Sequence, residues 1–304
     1  MISIDLGSNT LRIVEFDCRT KKRVKEFEKV VRTAHNLHKT GFICESSIQR
    51  ILEALKEADK LFDFKSHQHI FAVTTEAMRR ASNALAIKTL IKEKFDIDFE
   101  IISGMQEARL TLLGIEHGLK EAQINLQNYI LMDLGGASTE ISFVSPSEVL
   151  SQSFSFGIVS VAQTYETLEN IQNSMDEVLK PFCEYLLKSD ITVCEYPHFV
   201  ATAGTPTSVA AFLEGIDYKS YSYEKINGKR LDIDDFTNSL NALLKLDPEE
   251  QEFWVGTNRS DLVCAGILIV KSIMQILDIK ECIVIDNGLR EGLAISKCNK
   301  MPIK

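Results

Sequence analysis

The chain has 304 residues, 45% of them hydrophobic and 25% charged, with 34 Lys and Arg against 43 Asp and Glu for a formal net charge of −9. This is the composition of an ordinary globular protein with enough core for about two domains, and no apolar run approaches the ~18 residues that a membrane span requires. The negative balance repels polyanions, which disfavours general nucleic-acid binding, so an anionic substrate has to be captured by a local site.

Residues 1–6, 11–17 and 24–31 read as three short strands, because Ile, Val and Phe recur between turn-like residues. Glu45 to Phe62 carries Ile48, Ile51, Leu52, Leu55, Ala58 and Leu61 at helical spacing. A strand at 68–74, a helix at 83–95, a short strand at 99–102 and a helix from Gly104 to about Glu116 follow. The order is βββαβαβα. A polar stretch, Glu121 to Asn128, reads as a linker. Beyond it the grammar repeats: strands at Tyr129–Asp133, Thr139–Ser145 and Glu148–Phe154, helices at 158–168 and 174–188, a strand at 198–202, and a helix starting around Pro206. Asn227-Gly228 between polar flanks predicts a tight hairpin turn on the surface. Ser260 to Leu277 is a long apolar helix, Cys282 to Asp286 a buried strand, and Gly288 to Lys297 a closing helix. Mixed sheets flanked by helices, in two lobes, are the expected architecture.

The seven Cys are odd in number and include no C-x-x-C pair, which argues against a disulfide framework and against a zinc site; reduced, mostly buried thiols are expected. His35-x-x-His38 and His67-x-His69 lack Cys or carboxylate support at helical spacing and read as ordinary side chains. With no basic leader at the start, the expected compartment is the cytoplasm.

Two segments stand out. Ile4-Asp5-Leu6-Gly7-Ser8-Asn9-Thr10 and Met132-Asp133-Leu134-Gly135-Gly136-Ala137-Ser138-Thr139 each follow an apolar run and each place an Asp before small residues. The Asp can hold a hard cation through oxygen, while Gly and Ser let backbone N–H groups approach an anion. Asp at a strand end is often a mere turn former, but that explains two matching segments poorly. Their repetition points to a duplicated fold around a phosphorylated ligand.

Segments 1–16, 72–83, 101–115, 130–143, 200–209 and 283–293 together resemble the Ppx/GppA phosphatases, exopolyphosphatases and guanosine pentaphosphate phosphohydrolases. The resemblance implies an α/β fold of the two-lobed actin, sugar kinase and Hsp70 type, a duplicated ribonuclease H-like architecture with the active site in the interdomain cleft. The lobes are expected at 1–122 and 123–304, with the last helix packing back toward the first. The chain is similar to the short, two-domain members that lack a C-terminal HD-like region, which implies a preference for shorter polyphosphate.

The resemblance also assigns roles. Glu107, in Ile102-Ser103-Gly104-Met105-Gln106-Glu107-Ala108-Arg109, matches the catalytic base; read alone, it is a solvated helix carboxylate paired with Arg109 or Lys120. Glu140 matches a carboxylate that orders the attacking water. Asp5, Asp133 and Glu140 match the carboxylates that hold Mg²⁺, with Mn²⁺ as a substitute and a monovalent cation as a further ion. Gly7, Ser8, Asn9 and Thr10 form one phosphate cradle; Gly135, Gly136, Ala137, Ser138 and Thr139 form the other, with Ala137 where members usually carry a third Gly. Arg79, in Val73-Thr74-Thr75-Glu76-Ala77-Met78-Arg79-Arg80-Ala81, matches a phosphate-binding arginine, and Glu76 stands where relatives often carry Ser or Asn. Ala203-Gly204-Thr205-Pro206-Thr207 resembles the family's Ser-Gly-Thr segment, where actin-like relatives approach a nucleoside, and as a loop feeding a helix N-terminus it adds Gly204 and Thr205 to the phosphate-binding residues. Arg12, Gly288 and Arg290 read as structural.

The implied reaction is metal-dependent removal of the terminal phosphate of inorganic polyphosphate, with guanosine pentaphosphate as the alternative substrate. A kinase of the same fold and a non-catalytic nucleotide- or polyphosphate-binding regulator are the remaining readings. No nucleic acid or membrane partner is implied; a homodimer is.

Overall fold

The structure, a computed structural model, describes residues 1–299. The described chain divides into two compact units, residues 1–114 with 288–299, and residues 115–287.

The first unit opens with β1 (Ile2–Leu6), β2 (Thr10–Asp17) and β3 (Lys22–Val30), followed by α1 (Leu37–Thr40) and α2 (Glu45–Phe62). Then come β4 (Ile70–Thr74), α3 (Glu76–Arg80), α4 (Ala84–Phe95), β5 (Phe99–Ile101) and the start of α5 (Gly104–Glu121). Its five strands are ordered β3-β2-β1-β4-β5. β1 runs antiparallel to β2 and parallel to β4, and β4 is parallel to β5. β1 is buried along its whole length, as befits a central strand with helices to cover it. α2 buries Ile51, Ala54, Leu55, Ala58 and Phe62, a stripe at three- and four-residue spacing.

In the second unit β6 (Tyr129–Leu134), β7 (Thr139–Val144) and β8 (Val149–Phe154) make a meander, followed by α6 (Ile158–Tyr165), α7 (Leu168–Asn173) and α8 (Met175–Lys188). β9 (His198–Thr202), α9 (Gly204–Leu213), α10 (Tyr223–Ile226), β10 (Lys229–Asp232), α11 (Ile233–Leu243), α12 (Pro248–Val255), α13 (Ser260–Ile276) and β11 (Glu281–Val284) complete it. The last helix, α14 (Leu289–Cys298), belongs to the first unit. The six-stranded sheet is ordered β8-β7-β6-β9-β11-β10. Its first five positions repeat the first sheet's order and strand senses, so the duplication is one of topology as well as of sequence.

The expected division at 122/123 moves to 114/115, inside α5. A Cβ on Gly118 would meet Ile285 Cγ2 at 2.6 Å and Asn287 Oδ1 at 2.9 Å, so the last turns of α5 are packed tightly on the second unit. The final helix is fixed to the first unit by equally close contacts. A Cβ on Gly114 would sit 2.9 Å from Gly288 C, and one on Gly292 would sit 2.6 Å from Leu110 C and inside contact distance of its oxygen. Val73 and Ile102 share a buried cluster with Leu289 and Leu293 of α14.

Three further expectations change. Cys18 and Cys298 form a disulfide, while Cys44, Cys183, Cys194, Cys264 and Cys282 are free; the expectation of reduced thiols fails for that pair because α14 lies along β2, bringing residues 280 apart to a Cα–Cα distance of 5.3 Å. Asn227-Gly228 is no exposed hairpin: it links α10 to β10, Asn227 Oδ1 accepts from Asp286 N at 2.6 Å, and Asn227 Nδ2 donates to Asn287 Oδ1 at 2.8 Å. The helix expected at 158–168 breaks at Glu166, whose φ is +62°. No helix among the described residues is long and apolar enough to cross a membrane.

Candidate active site

In an open α/β sheet, ligands gather at the carboxyl ends of the parallel strands. Every sequence-predicted residue of the first unit lies at such an end: Gly7 to Thr10 after β1, Arg79 after β4 and Glu107 after β5, on three neighbouring strands. The second unit repeats this placement with Gly135 to Thr139 after β6 and Gly204-Thr205 after β9.

Both turns are braced through their carbonyls. Asn9 O accepts from Val31 N and Arg32 N, each at 2.8 Å, and Ser8 O accepts from Ala34 N at 2.8 Å. In the second turn Gly135 O accepts from Ile158 N at 3.0 Å, and Gly136 O accepts from Val159 N at 2.7 Å. Carbonyls tied into the protein leave the amide side of a turn for an anion, except at Gly7, whose N–H already donates to Thr10 O at 3.0 Å. Gly135 is required sterically, since a Cβ there would lie 2.7 Å from Ser138 O. Ala137 is buried and is not among the residues with positive φ, so its methyl group is accommodated without backbone strain. Thr139 takes no part through its side chain: it is fully buried and its hydroxyl donates to Phe156 O at 2.7 Å.

The two hairpins place equivalent residues in register. Asp5 lies opposite Arg12, and Asp133 opposite Glu140. Where the first unit carries a cation, paired to Glu28 at 3.1 Å, the second carries a second carboxylate. Glu140 is buried, and Ser153 Oγ donates to its Oε1 at 2.7 Å. Ser153 escaped sequence reasoning; its register opposite Glu140 in β8 was the signal that could have found it.

Glu107 sits in the first turn of α5. Ser103 and Gln106 cap that helix reciprocally: Gln106 N donates to Ser103 Oγ at 3.2 Å, and Ser103 N to Gln106 Oε1 at 2.9 Å. Arg79 Nη1 donates to Glu107 Oε2 at 2.9 Å and to Ile102 O at 2.7 Å. Burial opposes the charge on Arg79, but Glu107 and Glu76 outweigh it and hold the guanidinium protonated above its usual range. Glu107 is thus a positioned, ion-paired carboxylate rather than a solvated one.

The loop after β9 is strained. Ala203 has φ +73° and ψ −172°, a region that essentially only Gly occupies, at a cost of about 1–3 kcal/mol for other residues. It leads into the N-terminus of α9, which no side chain caps. Thr205 is fully buried against Gly266, so only its backbone faces the loop. Two hollows in the second unit, of about 600 Å³ and about 620 Å³, open at the opposite ends of the strands, by His198 and by Tyr129 respectively, and include none of these residues.

Comparison with known proteins decides the family. The model of the Ppx/GppA phosphatase family matches residues 15–301. The chain belongs to the Ppx/GppA phosphatase family. Among solved structures, a Ppx/GppA family member from Aquifex aeolicus is 27% identical, with a TM-score of 0.75 over 100% of this chain and 98% of that one. An exopolyphosphatase from Cytophaga hutchinsonii is 23% identical with a TM-score of 0.81, over 98% and 97% of the two chains, a likeness of fold. The fold of this Ppx/GppA chain is therefore the two-lobed actin, sugar kinase and Hsp70 type. A curated relative, the bifunctional 3-dehydroquinate synthase/phosphatase of Fusobacterium nucleatum, is 25% identical over 295 residues, 90% of this chain. The chain spans only 43% of that relative's length.

Proposed function

We propose that the chain hydrolyses the terminal phosphoanhydride of inorganic polyphosphate and releases orthophosphate. The observation that carries this reading is Glu107, held after the carboxyl end of β5 by a capped helix and by Arg79, which follows the neighbouring β4. Phosphoryl transfer asks for a positioned water and stabilised oxygens rather than covalent chemistry. Glu107 takes the proton from water as its oxygen attacks the terminal phosphorus, the bond to the bridging oxygen breaks, and the chain leaves one phosphate shorter. In the unit that carries Glu107, the amide side of the turn after β1 receives phosphoryl oxygens.

A pair of carboxylates would suit Mg²⁺, which characteristically takes one or two carboxylates, waters and substrate phosphates. Asp133 and Glu140, opposite one another on β6 and β7, are the carboxylates assigned to it, with Asp5 as the corresponding residue of the first unit. When bound, the ion supplies neutralisation of phosphoryl charge.

The test is phosphate release, with Mg²⁺ present, from polyphosphates of defined length and from guanosine pentaphosphate in parallel. Release from polyphosphate supports the proposal. Release from the guanosine nucleotide alone moves the assignment to that substrate, and release from neither contradicts both.

A further inference from the structure

Arg79 has five N–H donors in a fixed fork, and four are already engaged. Nε donates to Glu76 Oε2 at 3.1 Å, Nη2 pairs with the same carboxylate at 2.9 Å, and Nη1 serves Ile102 O and Glu107. One N–H remains. A phosphoryl group that is to take the fork in bidentate fashion must displace a carboxylate, and the two carboxylates on Arg79 oppose a polyanion there.

Glu76 also has a second place to go. It sits at the first position of α3, with Arg79 at i+3 and Arg80 at i+4. Glu76 Oε1 lies 3.9 Å from Arg80 Nη1, and the Arg80 side chain is 45% exposed, against 19% for Arg79. We propose that Glu76 is a specificity-determining residue that occupies Arg79 in the absence of substrate and passes to Arg80 when a terminal phosphoryl group arrives. Arg79 then keeps its hold on Glu107 while its freed donors face the phosphate. Rotation of one side chain suffices for the exchange, and a poorly charged phosphoryl end lacks the field to drive it.

This inference rests on the proposed function for its substrate, so it is tested by binding as well as turnover. Inorganic tripolyphosphate is titrated calorimetrically, with Mg²⁺, into the full chain, into Glu76→Gln and Arg80→Ala, and into the double variant; KM and kcat for phosphate release are measured alongside. Removing the competing charge in Glu76→Gln tightens tripolyphosphate binding about tenfold and lowers KM with kcat changed far less. Arg80→Ala weakens binding several-fold by removing the resting place, and that loss disappears in the Glu76→Gln background. Unchanged or weaker binding by Glu76→Gln overturns the inference. So does an Arg80→Ala loss that persists undiminished in the double variant, since that is the signature of plain attraction between Arg80 and the anion. Binding that follows the expected pattern without phosphate release by any form upholds the exchange and refutes the hydrolase reading.

Discussion

Gly292→Ala sets two effects of opposite sign against each other. Gly292 lies in α14, where Ala is favoured over Gly by about 1 kcal/mol on intrinsic propensity. The new methyl would lie 2.6 Å from Leu110 C and 3.1 Å from Gly114 N, and closer still to Leu110 O. These are backbone atoms of α5, so no rotamer change relieves the clash and the two helices must separate. Overpacking costs about 1–3 kcal/mol, and a backbone-to-backbone clash belongs at the upper end. The net expectation is a loss of about 2 kcal/mol, read as a lowered urea midpoint by far-UV circular dichroism. Because α5 also carries Glu107, separation of the helices should reduce phosphate release beyond the stability loss. A higher midpoint for Gly292→Ala would refute the close packing of α14 on α5.

Glu291 is fully buried; burial works to raise its pKa, but Arg23 and Arg290 together hold it below the ordinary range. Its contribution to stability is therefore complete above the unfolded value of about 4.3 and fades as pH falls through the depressed folded value. Glu291→Gln removes one of two carboxylates from Arg23 and Arg290, which keep Glu26 as a partner, and should cost about 1.5–3 kcal/mol, seen as a lowered melting temperature at pH 7 whose gap from the parent narrows at the acid end. Ala203→Gly relieves the positive φ and should raise stability by about 1 kcal/mol; an unchanged or lower melting temperature would deny the strain. Under denaturing, non-reducing conditions a thiol reagent should titrate five of the seven Cys, leaving Cys18 and Cys298 protected until reductant is added; seven reactive thiols would disprove the bond.

Much of this architecture is written locally. The hairpin-forming meanders, α2 and α13 carry hydrophobic periodicity that survives without tertiary help, and Asp5 and Asp133 announce their equivalence through the Leu-Gly and small polar residues on their carboxyl side. The stretch from Glu214 to Asn258 was less legible. β10 offers one apolar residue, Leu231, and is a strand because it pairs with β11 at the sheet edge. α12, by contrast, carried readable signals: Asp247 caps it, Pro248 opens it and Glu250 closes the capping box. The bond between Cys18 and Cys298, and the position of α14 that makes it, depend on packing between the two ends of the chain, which no local window contains. At the candidate site, motif spacing located Arg79 and Glu107 but could not reveal that they pair, because the pairing needs β4 beside β5. Glu76 was visible as a departure from pattern; its hold on Arg79 became visible only in three dimensions.

The most direct test of the proposed mechanism is phosphate release from tripolyphosphate by the parent chain and by Glu107→Gln, with the binding of tripolyphosphate measured on both. Gln keeps the shape and an acceptor for Arg79 but cannot take a proton from water. The mechanism predicts turnover reduced by about 10²–10⁴-fold with affinity altered only a few-fold. Comparable turnover by Glu107→Gln and the parent would contradict the role of Glu107 as the base.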